Sequence, residues 1–157
     1  MLEKEIKDIL EKISQGVTSP EEAYKRLINL PFEDLIHTKV DHHRSIRKGL
    51  QEVVYGKGKT LNELIEIAEA QTRQHQDVLI TRINKRTGNA LCERFRNGVF
   101  NDRAGCFYIK EDNAIIGKGT ILIVSAGTSD MKVAEEAYVT SIFFGNKTER
   151  LYDVGVA

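Results

Sequence analysis

The stretch Thr120-Ile121-Leu122-Ile123-Val124-Ser125-Ala126-Gly127-Thr128-Ser129-Asp130 decides the fold. From Thr120 to Ala126 the run is continuously apolar and small, the pattern of a fully buried strand. Gly127 to Asp130 is a turn. Ala134, Ala137, Tyr138 and Ile142 then recur at helical spacing, and Gly145 closes that helix. Lys147 to Tyr152 reads as the next strand. Strand, turn, helix and strand in this order form the repeat of a doubly wound α/β sheet. One such unit leaves both sheet faces poorly covered. The expectation is that the N-terminal part completes the sheet, or that the sequence belongs to something longer.

Working outward, the polar, turn-rich stretch from Asp112 to Gly119 reads as a boundary. The predicted domains are 1–115 and 116–157. Upstream, Leu2, Ile6, Ile9, Leu10, Ile13 and Val17 mark an amphipathic helix ending near Gln15-Gly16. Ser19-Pro20-Glu21-Glu22 is a capping box with proline at the first helical position, and Pro31 stops the run. The start of the chain is thus a helical hairpin. Residues 33–41 read as a strand, as does a short segment ending in Val53-Val54-Tyr55. Gly56 to Lys59 is a flexible turn, and Thr60-Leu61-Asn62-Glu63 is a second capping box opening a helix. Val78 to Thr81 and Ala104 to Ile109 read as strands. A short helix is expected from Asn89 to Arg96, closed by Asn97-Gly98. The fold class is therefore α/β: a helical hairpin and a small α/β domain, then a strand–helix–strand unit of a parallel, flavodoxin-like sheet.

With 157 residues the chain suits one ordinary domain or two small ones. Lys plus Arg equal Asp plus Glu at 23 each, which argues against a nucleic-acid-coating protein. The longest strongly apolar run, Ile121 to Val124, is far short of the ~20 residues a membrane helix needs. Met1-Leu2-Glu3-Lys4-Glu5 has no apolar core of a secretory signal. Cys92 and Cys106 form no CxxC pattern and read as reduced core thiols. The reading is cytoplasmic, with no membrane and no nucleic acid. The zero charge hides blocks: residues 39–59 and 82–103 each carry six basic against two acidic side chains, flanked by acidic blocks. Such blocks serve either as a local anion site or as solvated faces that pair with each other.

Two segments carry chemistry. A buried strand feeding Gly127-Thr128-Ser129-Asp130 at a helix start exposes free amides, and those with the helix dipole favour phosphate. Ser129 and Asp130 have groups suited to ribose hydroxyls. The competing reading is that Thr128, Ser129 and Asp130 only cap the helix. The second segment is Asp41-His42-His43-Arg44-Ser45-Ile46-Arg47-Lys48-Gly49 with Lys57-Gly58-Lys59 beyond it. Arg44 and Arg47 share a face on a helical turn, Lys59 precedes a capped helix, and Arg82 ends a strand; these are the candidate anion contacts. The competing reading is a surface loop with ordinary charges. Asp41, His42 and His43 lack a third ligand at a recognised spacing, so no metal site is assigned. No nucleophile–base pair can be assigned from spacing.

Ser125-Ala126-Gly127-Thr128-Ser129-Asp130-Met131-Lys132-Val133-Ala134-Glu135-Glu136-Ala137 and Glu149-Arg150-Leu151-Tyr152-Asp153-Val154-Gly155-Val156-Ala157 resemble the LarB family, as do Asp41 to Gly49, Glu52 to Gly56, Gly58-Lys59-Thr60 and Thr81-Arg82. The resemblance covers most of the chain. One departure is Gln51, where the family commonly has proline. The family opens synthesis of the nickel-pincer nucleotide cofactor. It carboxylates the pyridinium ring of nicotinic acid adenine dinucleotide with carbon dioxide or bicarbonate and cleaves the phosphoanhydride, releasing AMP. Magnesium is associated with the reaction. The second domain is similar to PurE, the aminoimidazole ribonucleotide carboxylase, and both families form homo-octamers. The resemblance implies that Ser129 and Asp130 contact the nucleotide, within a substrate-binding set of Ser125, Gly127, Thr128, Ser129, Asp130 and Asp153. PurE has Gly-Ser where this chain has Ala126-Gly127, so phosphate contacts need not copy one for one. The family's catalytic cysteine follows further on, and Cys92 and Cys106 are in the wrong region to replace it. The expectation is therefore a truncated PurE-like sheet, inactive alone. The alternative is a nucleotide-binding or oligomer-bracing module without catalysis.

Overall fold

A computed structural model describes residues 2–28, 33–35, 38–40, 52–73 and 75–155. The chain divides into two compact units, Met1–Gln51 and Glu52–Ala157.

In the first unit, α1 (Leu2–Ser14) and α2 (Pro20–Ile28) pack as the expected hairpin, with Ile9 and Ala23 buried. The capping box forms: the Glu22 amide donates to Ser19 Oγ at 3.2 Å, and the Ser19 amide donates to Glu22 Oε2 at 3.3 Å. Gly16, at φ +69°, lets the chain leave α1 through a left-handed residue. Residues 33–41 are not one strand. They hold β1 (Glu33–Leu35) and β2 (Thr38–Val40), an antiparallel pair whose register sets Asp34 opposite Lys39.

The second unit is built on a four-stranded sheet of β3 (Val53–Tyr55), β4 (Val78–Thr81), β6 (Cys106–Ile109) and β5 (Val99–Asn101), in that order. β3 and β4 are parallel and joined by α3 (Leu61–Arg73), a β–α–β crossover. The second capping box starts α3, with the Thr60 amide donating to Glu63 Oε2 at 2.7 Å. All of β4 is buried. Its alternate residues serve two layers. Leu79 joins Ala104, Cys106, Val139 and Phe143 in one cluster, while the pleat turns Val78 and Ile80 to the opposite face.

Two expectations need correction here. The short helix is α4 (Lys85–Arg94), begun by Asn84, whose side chain accepts from the Thr87 amide at 2.9 Å. Gly88 within it leaves room for Phe100, since a Cβ there would stand 2.3 Å from the ring. β5 was not expected, since three residues at a sheet edge carry too little pattern.

β7 (Thr120–Val124), α5 (Met131–Phe143) and β8 (Lys147–Leu151) form the strand–helix–strand unit read from the sequence, with β7 and β8 parallel. α5 lies against β4 and β6 as well as β7 and β8, and its Val139 and Phe143 enter the cluster around Leu79. The expectation of a fully buried β7 fails. Ile121, Leu122 and Val124 are all exposed. α5 covers one face, and β8 is the strand's one partner among the described residues.

Candidate functional site

The N-terminus of α5 meets the carboxyl ends of β7 and β8. The Ser125 amide donates to the Leu151 carbonyl at 3.1 Å, and the Val154 amide to the Ser125 carbonyl at 3.2 Å. These bonds bring Asp153 beside the expected turn. Asp153 is exposed at φ +59°, a left-handed conformation that aspartate tolerates better than most residues. Gly127 is at φ +76° with open space where a side chain would be. Thr128 is exposed and its carbonyl accepts from the Met131 amide at 3.4 Å. Ser129 Oγ donates to Asp130 Oδ1 at 3.4 Å. Asp130 is the N-cap residue, yet its side chain makes no capping bond. The purely capping role weighed for this turn therefore does not apply to Asp130. Its carboxylate is exposed at the first turn of α5. Ser125 is 8% exposed and its hydroxyl has no hydrogen-bond partner among the described residues. It lies in a hollow of about 430 Å³ with Val124, Ala126, Asp130, Ala134 and Ala137. A buried hydroxyl without a partner is costly, and a ligand entering the hollow would satisfy it.

A second hollow, about 420 Å³, opens at the carboxyl ends of β3 and β4. Both Lys59 and Arg82 line it, so two of the expected anion contacts come together. Arg44 and Arg47 lie outside the described residues. Sequence reading missed two further cations in this cleft, Lys57 and Lys132. Lys57 was in the quoted turn and was passed over. Lys132 arrives from the first turn of α5, over Gly105, where a Cβ would stand 3.7 Å from its Nζ. Arg82 Nε lies 2.6 Å from Glu136 Oε2, an ion pair off-axis for a hydrogen bond. Gly56 makes the cleft wall possible. Its amide donates to the Thr81 carbonyl at 2.8 Å, and a Cβ would stand 2.5 Å from Ile83 Cγ2.

Glu135 is a third feature that sequence spacing could not reveal. It is buried, and accepts from Arg150 Nη1 at 2.7 Å, Tyr152 Oη at 2.8 Å and Asn101 Nδ2 at 3.3 Å. Burial works against its charge, but the bonds from Tyr152 and Asn101 and the Arg150 guanidinium outweigh that, holding the carboxyl below its usual value. Burial and the same carboxylate push the Tyr152 phenol up. Arg150 also stacks over Tyr138 at 4.2 Å. This network locks β8 and its following turn to α5 and the end of β5.

Both cysteine thiols sit above their usual pKa, which disfavours the nucleophilic thiolate. Burial and the nearby Glu136 push the Cys106 thiol up to about 12, and burial raises Cys92 as well. Cys106 is wholly buried and both are free thiols. Among the described residues no three His, Cys, Asp or Glu side chains gather where they could hold a metal ion. No described helix is long and apolar enough to cross a membrane.

Residues 32–112 match the LarB/PurE-like N-terminal domain. The chain belongs to this family. That match takes in β3 to β6 and three of the four cations of the cleft. The chain is also similar to an uncharacterized protein of Methanocaldococcus jannaschii, 33% identical over 161 aligned positions that cover 98% of this chain. It spans 63% of that relative's length.

Proposed function

We propose that this chain handles the nucleotide of an enzyme that carboxylates the pyridinium ring of nicotinic acid adenine dinucleotide and hydrolyses its phosphoanhydride, releasing AMP. Carbon dioxide or bicarbonate supplies the carboxyl group. The observation that carries this reading is the α5 N-terminus. There a buried Ser125 hydroxyl with no partner among the described residues and the uncapped Asp130 carboxylate share one hollow at a helix N-terminus. Helix amides and the dipole take a phosphate. Asp130 and Ser129 accept from and donate to ribose hydroxyls, and Ser125 donates to a phosphate or ribose oxygen once the hollow is filled. Gly127, with no side chain, lets the ligand approach the backbone.

Adding a carboxyl group to an electron-poor pyridinium needs a nucleophile that first makes the ring electron-rich. Cys92 and Cys106 do not meet that need, so this reading assigns no catalytic residue to the chain. Magnesium, on the same reading, comes with the substrate phosphates, held by at most one or two carboxylates such as Asp130. Assembly into a homo-octamer would cover the exposed Ile121, Leu122, Val124 and Leu151. The free thiols suit a cytoplasmic setting.

A second reading, a binding or oligomer-bracing module without catalysis, draws support from two thiols whose thiolate forms burial disfavours. Calorimetric titration with nicotinic acid adenine dinucleotide, with AMP as control and with and without magnesium, separates the readings. Saturable binding that weakens about tenfold in Ser125→Ala, a loss of ~1.4 kcal/mol, is expected. Absence of binding would overturn the nucleotide role and leave bracing.

A further inference from the structure

We propose that the α1–α2 hairpin is a self-association surface, which pairs face to face with the same hairpin of a second copy of this chain about a two-fold axis. The seam between the two helices buries Ile9 of α1 and Ala23 of α2. The next residue in each helix lies about 100° further round. Because the helices of a hairpin run in opposite directions, the two rotations have opposite sense, and Leu10 and Tyr24 emerge on the same face. They are 55% and 56% exposed. Ile6, Ile13 and Leu27 fall between the seam and that face and are half-buried. Two helices alone enclose no core, and large apolar side chains left open on one face mark an interaction surface. A stretch well under about 40 residues ordinarily needs such an association to hold its fold.

Charge decides the occupant. On the outer flank of this face α1 carries Lys7 and Glu11, and α2 carries Glu21 and Lys25, each pair one helical turn apart. Lys7 and Glu11 are spaced evenly about Ile9, and Glu21 and Lys25 evenly about Ala23, the two seam residues. A two-fold axis crossing the hairpin at the seam therefore stacks α1 on α1 and α2 on α2, antiparallel. It sets Lys7 against the second copy's Glu11, and Glu21 against the second copy's Lys25. Parallel stacking would set like charges together. A face that complements itself under a two-fold is what an isologous dimer requires. The result is a four-helix bundle in which every neighbour is antiparallel, with Leu10 and Tyr24 turned inward. The hairpin precedes residues 32–112, which match the family domain. This contact is separate from the exposed β7 face and from the nucleotide reading at Ser125.

Sedimentation velocity of the whole chain, over a wide range of concentration, tests the pairing. It is run on the native chain and on Leu122→Ser, which blunts the exposed β7 face. A dimer that persists in Leu122→Ser is expected. In that background Glu21→Lys and Lys25→Glu each place like charges across the axis, and each should weaken dimerisation about tenfold. An equimolar mixture of the two charge variants should regain the dimer, because each chain then meets its opposite. Altered helix stability in either variant would not produce that recovery. A chain that stays monomeric would overturn the pairing, as would a dimer indifferent to both reversals, or variants that do not recover on mixing. A monomer whose Tyr24 resists nitration by tetranitromethane would also overturn it, and would make the rest of this chain the occupant of the face.

Discussion

Replacing Glu135 by glutamine removes one charge and almost no volume from the network that holds β8 to α5. In the native chain the carboxylate accepts from Arg150 at 2.7 Å, Tyr152 at 2.8 Å and Asn101 at 3.3 Å. Hydrogen bonds to a charged group contribute about 1.5–3 kcal/mol, roughly twice a neutral one. The Arg150 side chain is 46% exposed, so solvent screens its share to about 1 kcal/mol or less. The Tyr152 bond weakens by about another 1 kcal/mol. The expected loss is therefore ~2 kcal/mol at pH 7, a fall of about 4–8 °C in melting temperature. Urea unfolding followed by far-ultraviolet circular dichroism measures it, since the chain has no tryptophan. The pH dependence gives a second check. The folded carboxyl of Glu135 sits below its unfolded value, so its stabilisation is present above about pH 4.3 and is lost as pH falls through the lower, folded value. The gap between native and variant should hold from pH 7 to 5 and close in stronger acid. At the alkaline end the raised phenol of Tyr152 acts oppositely, and stability falls as pH passes about 10. Equal urea midpoints at pH 7, or an undiminished gap in acid, would refute the assignment of the network.

Ser125→Ala should leave stability unchanged or raise it by up to about 1 kcal/mol, because the lost hydroxyl has no partner; a destabilised variant in urea unfolding would mean that the hydroxyl is bonded in the folded chain. Gly56→Ala should cost about 1–3 kcal/mol, since the new Cβ would meet Ile83 Cγ2 at 2.5 Å and the Thr81 carbonyl at 2.8 Å; a melting curve matching the native one contradicts this packing. Phe107→Ala should cost about 3–5 kcal/mol, as the ring is fully buried against Phe95 and the β6 core. In iodoacetamide labelling at pH 8 read by mass spectrometry, Cys106 should stay unmodified until the chain unfolds, and Cys92 should react more slowly than a free thiol; prompt labelling of Cys106 counts against its burial.

Much of the fold was legible because its signals are local. Ser19 with Glu22, and Thr60 with Glu63, are three residues apart and cap whatever helix follows. Val78 to Thr81 reads as a buried strand because both its faces are covered. β5 escaped notice because a three-residue edge strand is defined by its partner β6, not by its own pattern. β7 misled for the opposite reason. A continuous apolar run records what a strand is suited to, and its exposure depends on what lies against it.

The site divides the same way. The Gly127–Asp130 turn, Lys59 and Arg82 were visible as residue types at the ends of expected elements. Lys132 and Glu135 were not. Adjacent helix positions point about 100° apart. On α5, Lys132 reaches the cleft, Glu135 is buried against Arg150 and Tyr152, and Glu136 pairs with Arg82. Which neighbour each one meets follows from how α5 lies on the four-stranded sheet. The sequence alone determined the caps, the turns, the parallel strand–helix–strand unit and the family, because those depend on residues within a few positions of one another. The tertiary structure decided which charges are buried, which cations converge and which apolar strand is left open, because each depends on contacts between segments distant in the chain.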